Sequence, residues 1–144
     1  MKKVMNGLIF SLNGDAFTAL QKVLGSNINL TIKDINALRK TLISVSKQHE
    51  YVEERYKEII KKYGEEDKEG NIRIIDKEKT KLANNDFLEL LNLSEELDVR
   101  DFDTTKLEDE NVKMTYVELL ALEELFRKEE TKDEKEVVEA EVVQ

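Results

Sequence analysis

The chain has 144 residues, 40% hydrophobic and 38% charged, with five glycines and no proline. That length allows one domain with its own core, and the composition suits uninterrupted helices better than a loop-rich sandwich. No cysteine, a single histidine and a formal net charge of −9 exclude a disulfide framework, a thiolate nucleophile and a zinc site rich in either residue, and argue against nucleic acid or anionic lipid as a partner.

Residues 1–12 begin with two lysines and an apolar stretch, a weakly signal-like pattern. Asn6, Gly7, Ser11 and Asn13 interrupt it and no small-residue cleavage site follows, so the segment is read as part of the fold. No apolar run approaches the ~20 residues that span a bilayer, and the expected location is the cytoplasm. Val4-Met5, Asn6-Gly7 and Leu8-Ile9-Phe10 carry the signature of a tight turn whose central residues accept positive φ, which predicts a small β-hairpin. Phe17, Leu20 and Leu24 then fall at helical spacing. A short helix over 15–24 follows, with Gly25 where a left-handed C-terminal residue is wanted.

The best-marked element starts at Thr31. Its hydroxyl can cap the Asp34 amide, an acid sits in the first turn, and Leu30 can staple onto Ile35. Ile35, Leu38, Leu42, Val45, His49, Val52, Tyr56, Ile59 and Tyr63 then recur at alternating steps of three and four, the 3.5-residue period of a supercoiled seam. A helix over about 31–63 is predicted, ended by Gly64 and the polar run that follows. Its seam needs a covering surface, either the chain's own second helix or another copy.

Ile72, Ile74 and Ile75 predict a short strand or extended crossing over 71–76. Leu82, Phe87, Leu90, Leu91, Ser94 and Leu97 predict a second helix over 77–97 returning antiparallel along the first, with a start near Asn85 as the alternative. Residues 98–103 read as a linker or as a strand pairing with residues 72–75. Thr115-Tyr116-Val117-Glu118 is a full capping box, with Met114 and Leu119 placed as a staple, and predicts a last helix to about Lys128. The sum is a mainly α fold: a long helical hairpin or coiled-coil-like bundle with short flanking helices and a minor β-hairpin or short strands. It forms a single helical domain over 1–128, and the acidic residues 129–144 are expected to be disordered.

Residues 65–76 resemble a calcium loop in spacing, with oxygens at positions one, three, five and twelve and Gly70 at six. Glu65 is too long for position one and Asp76 too short for a bidentate grip at twelve. A charged turn closed by Gly70 is the favoured reading, and neither metal nor cofactor is expected. His49 on the seam, and Tyr51, Tyr56 and Tyr63 along the same helix, are expected to serve packing. Asp98, Asp101, Asp103, Glu108, Asp109 and Glu110 read as a solvated acidic loop. Ser44 and Ser46 have no base at a defensible distance, so no catalytic residue emerges.

The order of features is itself informative. After the Asn-Gly element and a short helix, the long helix ends in Lys62-Tyr63-Gly64-Glu65, and Asp67-Lys68-Glu69-Gly70-Asn71 follows. Then come Phe87-Leu88-Glu89-Leu90-Leu91, an acidic-apolar stretch over 96–102, and Leu119-Leu120-Ala121-Leu122-Glu123. Over most of residues 1–126 this layout resembles small uncharacterised helical proteins of tailed phages and prophages of Gram-positive bacteria. The resemblance implies a non-enzymatic accessory or assembly protein in the host cytoplasm, binding itself or a phage or host protein through helices, with homo-oligomerisation open. The alternative expectation is an acidic inhibitor of a host nucleic-acid enzyme or defence complex.

Overall fold

The computed structural model describes residues 1–11, 13–108 and 112–128. Its elements in chain order are strand β1 (Lys2–Met5), helices α1 (Asn6–Ile9), α2 (Ala16–Gly25) and α3 (Ile32–Tyr63), strands β2 (Glu65–Glu66) and β3 (Ile72–Arg73), helix α4 (Lys77–Asn92), strand β4 (Ser94–Leu97), a 3-10 turn (Thr104–Leu107) and helix α5 (Tyr116–Phe126). The fold is mainly α with two small antiparallel strand pairs, β1 with β4 and β2 with β3. The expected tail over 129–144 lies outside the described residues.

Thirty-two unbroken helical residues make α3 the axis of the molecule. It starts where Thr31 Oγ1 accepts the Asp34 amide at 3.2 Å and ends at Gly64, whose amide still bonds Ile60 O at 2.7 Å. The chain then turns and runs back along the whole of α3. Tyr63 meets Asp86, Ser44 meets Asp98, Thr41 meets Arg100 and Asp34 meets Lys106. Two hydroxyls on α3 thereby satisfy the Asp98 and Arg100 amides, each at 2.9 Å, in a stretch that makes no helix of its own.

One end of α3 is embedded in a core. Leu38 and Val45 pack there with Ile9, Leu20 and Val23, with Val4 and Leu97 of the β1–β4 pair, and with Leu122 and Leu125 of α5. Each such buried aliphatic side chain contributes roughly 1.5–3 kcal/mol. Toward the other end Val52, Ala83 and Leu90 are buried between α3 and α4, outside that cluster.

Three expectations are corrected and one open alternative is decided. Asn6-Gly7 makes no hairpin turn: it opens α1, and neither residue has positive φ. The Asn6 amide group is buried, donating to Leu90 O at 2.9 Å and accepting from Gln48 Nε2 at 3.0 Å, while a Cβ on Gly7 would stand 3.3 Å from Leu91 O. The pair is there for close approach to the end of α4, a tertiary demand that overrides the local turn signal. Gly25 is likewise not left-handed; the helix closes on Ser26 in extended conformation, its hydroxyl bonding Val23 O at 2.7 Å. The second helix stops at Asn92 instead of reaching Leu97, because Ser94–Leu97 is taken by β1 in the register Lys2↔Leu97 to Met5↔Ser94. Of the two readings of residues 98–103 the linker holds: they form no strand, and β3 pairs with β2 across the tight turn.

Candidate interaction surface

The seam of α3 is covered from within the chain over most of its length. Leu38, Val45 and Val52 are fully buried, and Leu42, His49, Tyr56, Ile59 and Tyr63 are half-buried, while Ile35 is 41% exposed near the helix start. The covering is supplied in turn by α1, α2, α4 and β4. His49 stacks on Phe17 with ring centroids 4.1 Å apart and leans on Phe10 at 5.3 Å. Tyr56 stacks on Phe87 at 4.6 Å, and Tyr63 donates its hydroxyl to Asp86 Oδ2 at 2.7 Å. Tyr51 is exposed beneath the Arg55 guanidinium, 4.9 Å from its ring centre.

Several of the remaining sequence candidates have structural occupations. Ser44 caps an amide, as above. Asp98 pairs with Arg100 at 2.8 Å. Asp103 accepts the Thr105 amide at 3.0 Å and hydroxyl at 2.6 Å, and these bonds, hydroxyl first, hold its carboxyl below the ordinary value. Asp109 and Glu110 lie outside the described residues. In the loop over 65–76, Asp67 Oδ1 accepts the amides of Glu69 and Asn71, both at 2.9 Å, and Gly70 turns the chain at φ +85°. That is the charged turn the sequence favoured. Among the described residues no group of three or more His, Cys, Asp or Glu stands where it could hold a metal ion, and no helix is long and apolar enough to cross a membrane.

The surface that the seam argument missed is on α5. Ala121, Leu122, Leu125 and Glu118 face inward, yet the opposite side carries Tyr116, Val117, Leu119 and Leu120, exposed by 74%, 46%, 36% and 44%. At about 100° per residue these four span roughly 160° of the helix circumference. In the first turn and a half they form one patch, with the exposed Glu123 and Glu124 on the same side in the last turn, in contrast to Leu82 and Leu88 on α4, which the same geometry puts on different sides. A helix apolar on both faces is ordinarily buried on both. The signal was present in the sequence as the uninterrupted run Leu119-Leu120-Ala121-Leu122.

α5 is held firmly at both ends. Thr115 and Glu118 close a reciprocal capping box at its start. At its end the Lys2 ammonium lies 2.9, 2.8 and 2.6 Å from the carbonyls of Glu124, Leu125 and Arg127, a cation placed on the negative pole of the helix. In between, Glu118 Oε1 meets Lys22 of α2 at 2.6 Å. Burial pushes the Glu118 carboxyl up, but the Lys22 ammonium and Thr115 outweigh it and hold the carboxyl below its ordinary value. Beside the helix, a cleft of about 510 Å³ is lined in part by Leu107, Val112, Met114 and Leu119.

Compared with known proteins, the chain matches no family model, no curated protein and no solved structure.

Proposed function

We propose that this chain is a non-enzymatic accessory or assembly protein of a phage or prophage, acting in the host cytoplasm through helix-mediated protein contact, and that its contact surface is the outer face of α5. The observation that carries this reading is the exposed patch of Tyr116, Val117, Leu119 and Leu120. A contiguous apolar patch on a capped helix loses hydration on meeting another apolar surface and pays little ordering entropy, which is the physics of helix-in-groove recognition. The resemblance of its feature order to that of small phage and prophage proteins is what supports the biological setting.

The test is capture of phage and host proteins on the full chain, with wild type and Leu120→Glu compared across a salt series. The reading expects proteins that stay bound as salt rises and are lost in the variant. Identical capture by both chains would overturn it. Capture of a basic protein that is released by salt and ignores the substitution would replace it with the inhibitor reading.

A further inference from the structure

The chain contains two Asn-Gly pairs, Asn6-Gly7 and Asn13-Gly14, and the fold treats them differently. Asn-Gly is the dipeptide whose side-chain amide is most open to attack by the next backbone nitrogen, because glycine puts no Cβ in the way and lets the chain take the conformation the attack needs. Asn6 is shielded from that reaction. It is 2% exposed, α1 fixes its backbone, and its side-chain amide is bonded at both ends, Nδ2 to Leu90 O and Oδ1 to Gln48 Nε2. Asn13 lacks these restraints. It is exposed, in a turn between α1 and α2, its backbone amide donates to Ser11 Oγ at 3.3 Å, and its side-chain amide has no hydrogen-bond partner among the described residues. Gly14 beside it has φ +118°.

We propose that Asn13-Gly14 is a site of spontaneous deamidation and that its isoaspartate product loosens the start of α5. The Gly14 nitrogen gives up its proton and forms a bond to Asn13 Cγ; the Cγ–Nδ2 bond breaks, ammonia leaves and a cyclic imide remains. Water then opens the ring and is the only co-reactant. Breaking the new bond from nitrogen to Cγ leaves aspartate. Breaking the bond from nitrogen to the main-chain carbonyl carbon leaves isoaspartate, with the chain routed through Cβ and Cγ and one atom longer. Gly14 is packed so closely on the capping box of α5 that a Cβ there would stand 3.0 Å from Glu118 Cγ and 3.5 Å from Thr115 Oγ1. One residue on, Asp15 is 4% exposed and anchored, its carboxylate accepting the Ser11 amide at 3.1 Å and the Thr18 amide at 2.8 Å. The added atom falls directly before this contact and this anchor, and shifts Gly14 on Thr115 and Glu118. Negative charge alone does not have that effect, because residue 13 adjoins the starts of both α2 and α5, where the helix dipoles favour an anion.

The test is ageing of the full chain in warm, mildly alkaline buffer, folded and in urea, with peptic peptides sequenced by mass spectrometry to place each gain of one mass unit and to tell isoaspartate from aspartate. In the folded chain Asn13 is expected to convert at least about tenfold faster than Asn6, because Asn6 reacts only from molecules that have opened locally. In urea the two should convert alike. Amide exchange is then read on the converted fraction, separated by anion exchange. The Glu118 and Leu119 amides, which bond Thr115 Oγ1 and O, are expected to exchange about fivefold faster than in fresh protein, the loss of roughly one cap, with the last turn of α5 unchanged. Asn13→Asp carries the charge without the added atom and should stay within about twofold of fresh wild type. Aged Asn13→Gln, whose larger ring closes slowly, should match fresh wild type. A folded chain in which Asn13 survives, or converts no faster than Asn6, overturns the modification site. Isoaspartate-containing chains whose Glu118 and Leu119 amides exchange as before, or an Asn13→Asp variant that reproduces the acceleration, overturn the link to α5.

Discussion

Lys22 on α2 and Glu118 on α5 stand 2.6 Å apart, ammonium to carboxylate, although 96 residues separate them in the chain. The carboxylate is 4% exposed and the ammonium 39%, so one partner sits in the protein and the other reaches solvent. Glu118 also receives the Thr115 amide at the start of α5. One side chain thus fixes where α5 begins and against which helix it lies. Removing the cation leaves a buried carboxylate with a weakened set of donors. Lys22→Met is expected to destabilise the fold by about 1–3 kcal/mol, below the usual loss for a fully buried pair because the ammonium is partly screened. Glu118→Gln is expected to cost a similar amount through the weakened cap and the lost charge-assisted bond. In urea unfolding the double variant should lose clearly less than the two losses added. Strict additivity would show that the pair is not coupled.

Acid should unfold the chain through the same kind of contact. Asp34 is held below its ordinary value first by its bonds to the Lys106 ammonium, 2.8 and 3.1 Å from its two oxygens, and Glu118 is lowered as described. For a carboxyl whose folded pKa is depressed, the stabilisation is complete above the unfolded pKa of about 4 and is lost as pH falls through the folded value. Urea midpoints should therefore change little on this account from pH 7 to about 5 and fall steeply below about 4. Asp34→Asn combined with Glu118→Gln should lower the neutral-pH midpoint and flatten the acid limb. An unchanged acid limb in that double variant would sink the assignment.

What the sequence disclosed and what it hid divide by the range of the interactions. The start of α3 at Thr31, the capping box at Thr115 and the stop at Gly64 are made by residues within four positions of one another, so spacing alone reveals them. Ser94–Leu97 carries two adjacent glutamates and little strand propensity; it is a strand because β1, some ninety residues away, lies beside it. The 3.5-residue period of α3 showed that a covering surface exists, but period cannot say that α1, α2, α4 and β4 supply it in succession. The same limit hid the candidate surface: Leu119-Leu120-Ala121-Leu122 has apolar side chains on every side, and only the packed structure shows which of them remain outside.

Asn6 illustrates the point and can be tested. Its side chain bridges Leu90 O and Gln48 Nε2, and its backbone amide bonds Leu93 O at 2.9 Å. If the Asn-Gly pair served a turn, Asn6→Asp would be tolerated, since aspartate suits such turns nearly as well. In the buried site the same change aims a carboxylate at a carbonyl and removes a donor. Asn6→Asp is expected to destabilise by about 2–4 kcal/mol at neutral pH, and Asn6→Ala by about 1–3 kcal/mol. Equal stability of Asn6→Asp and wild type in denaturant titrations would refute the packing role.

Lys2 should control the last turn of α5. Replacing it with Met keeps the aliphatic stem and removes the ammonium from three carbonyls, at a cost of about 1 kcal/mol. Because the effect falls off within one turn, hydrogen exchange should accelerate in the final residues of α5 and not around Thr115. Uniform acceleration along the helix would mean that Lys2 acts through the β1–β4 pair instead.

Gly64, just before β2, and Gly70, within the β2–β3 turn, should respond to substitution in opposite ways. At Gly64 the backbone is ordinary, φ −91°, but a Cβ would stand 2.5 Å from both Ile60 O and Ile72 Cγ2. At Gly70 there is room, with Glu66 Oε1 the nearest atom at 3.8 Å, but φ is +85°. The first site excludes side chains by volume and the second by backbone conformation. Gly64→Ala and Gly64→Asn should therefore be comparably damaging, about 1–3 kcal/mol locally. Gly70→Ala should cost about 1 kcal/mol and Gly70→Asn distinctly less, because Asn tolerates the left-handed region. The turn lies beyond the main core, so the loss should show as faster amide exchange at Asp67 and Gly70, whose amides bond Asn71 O and Asp67 O, more than as a lower global melt. A Gly70→Asn variant as damaging as Gly70→Ala would show that the constraint there is space after all.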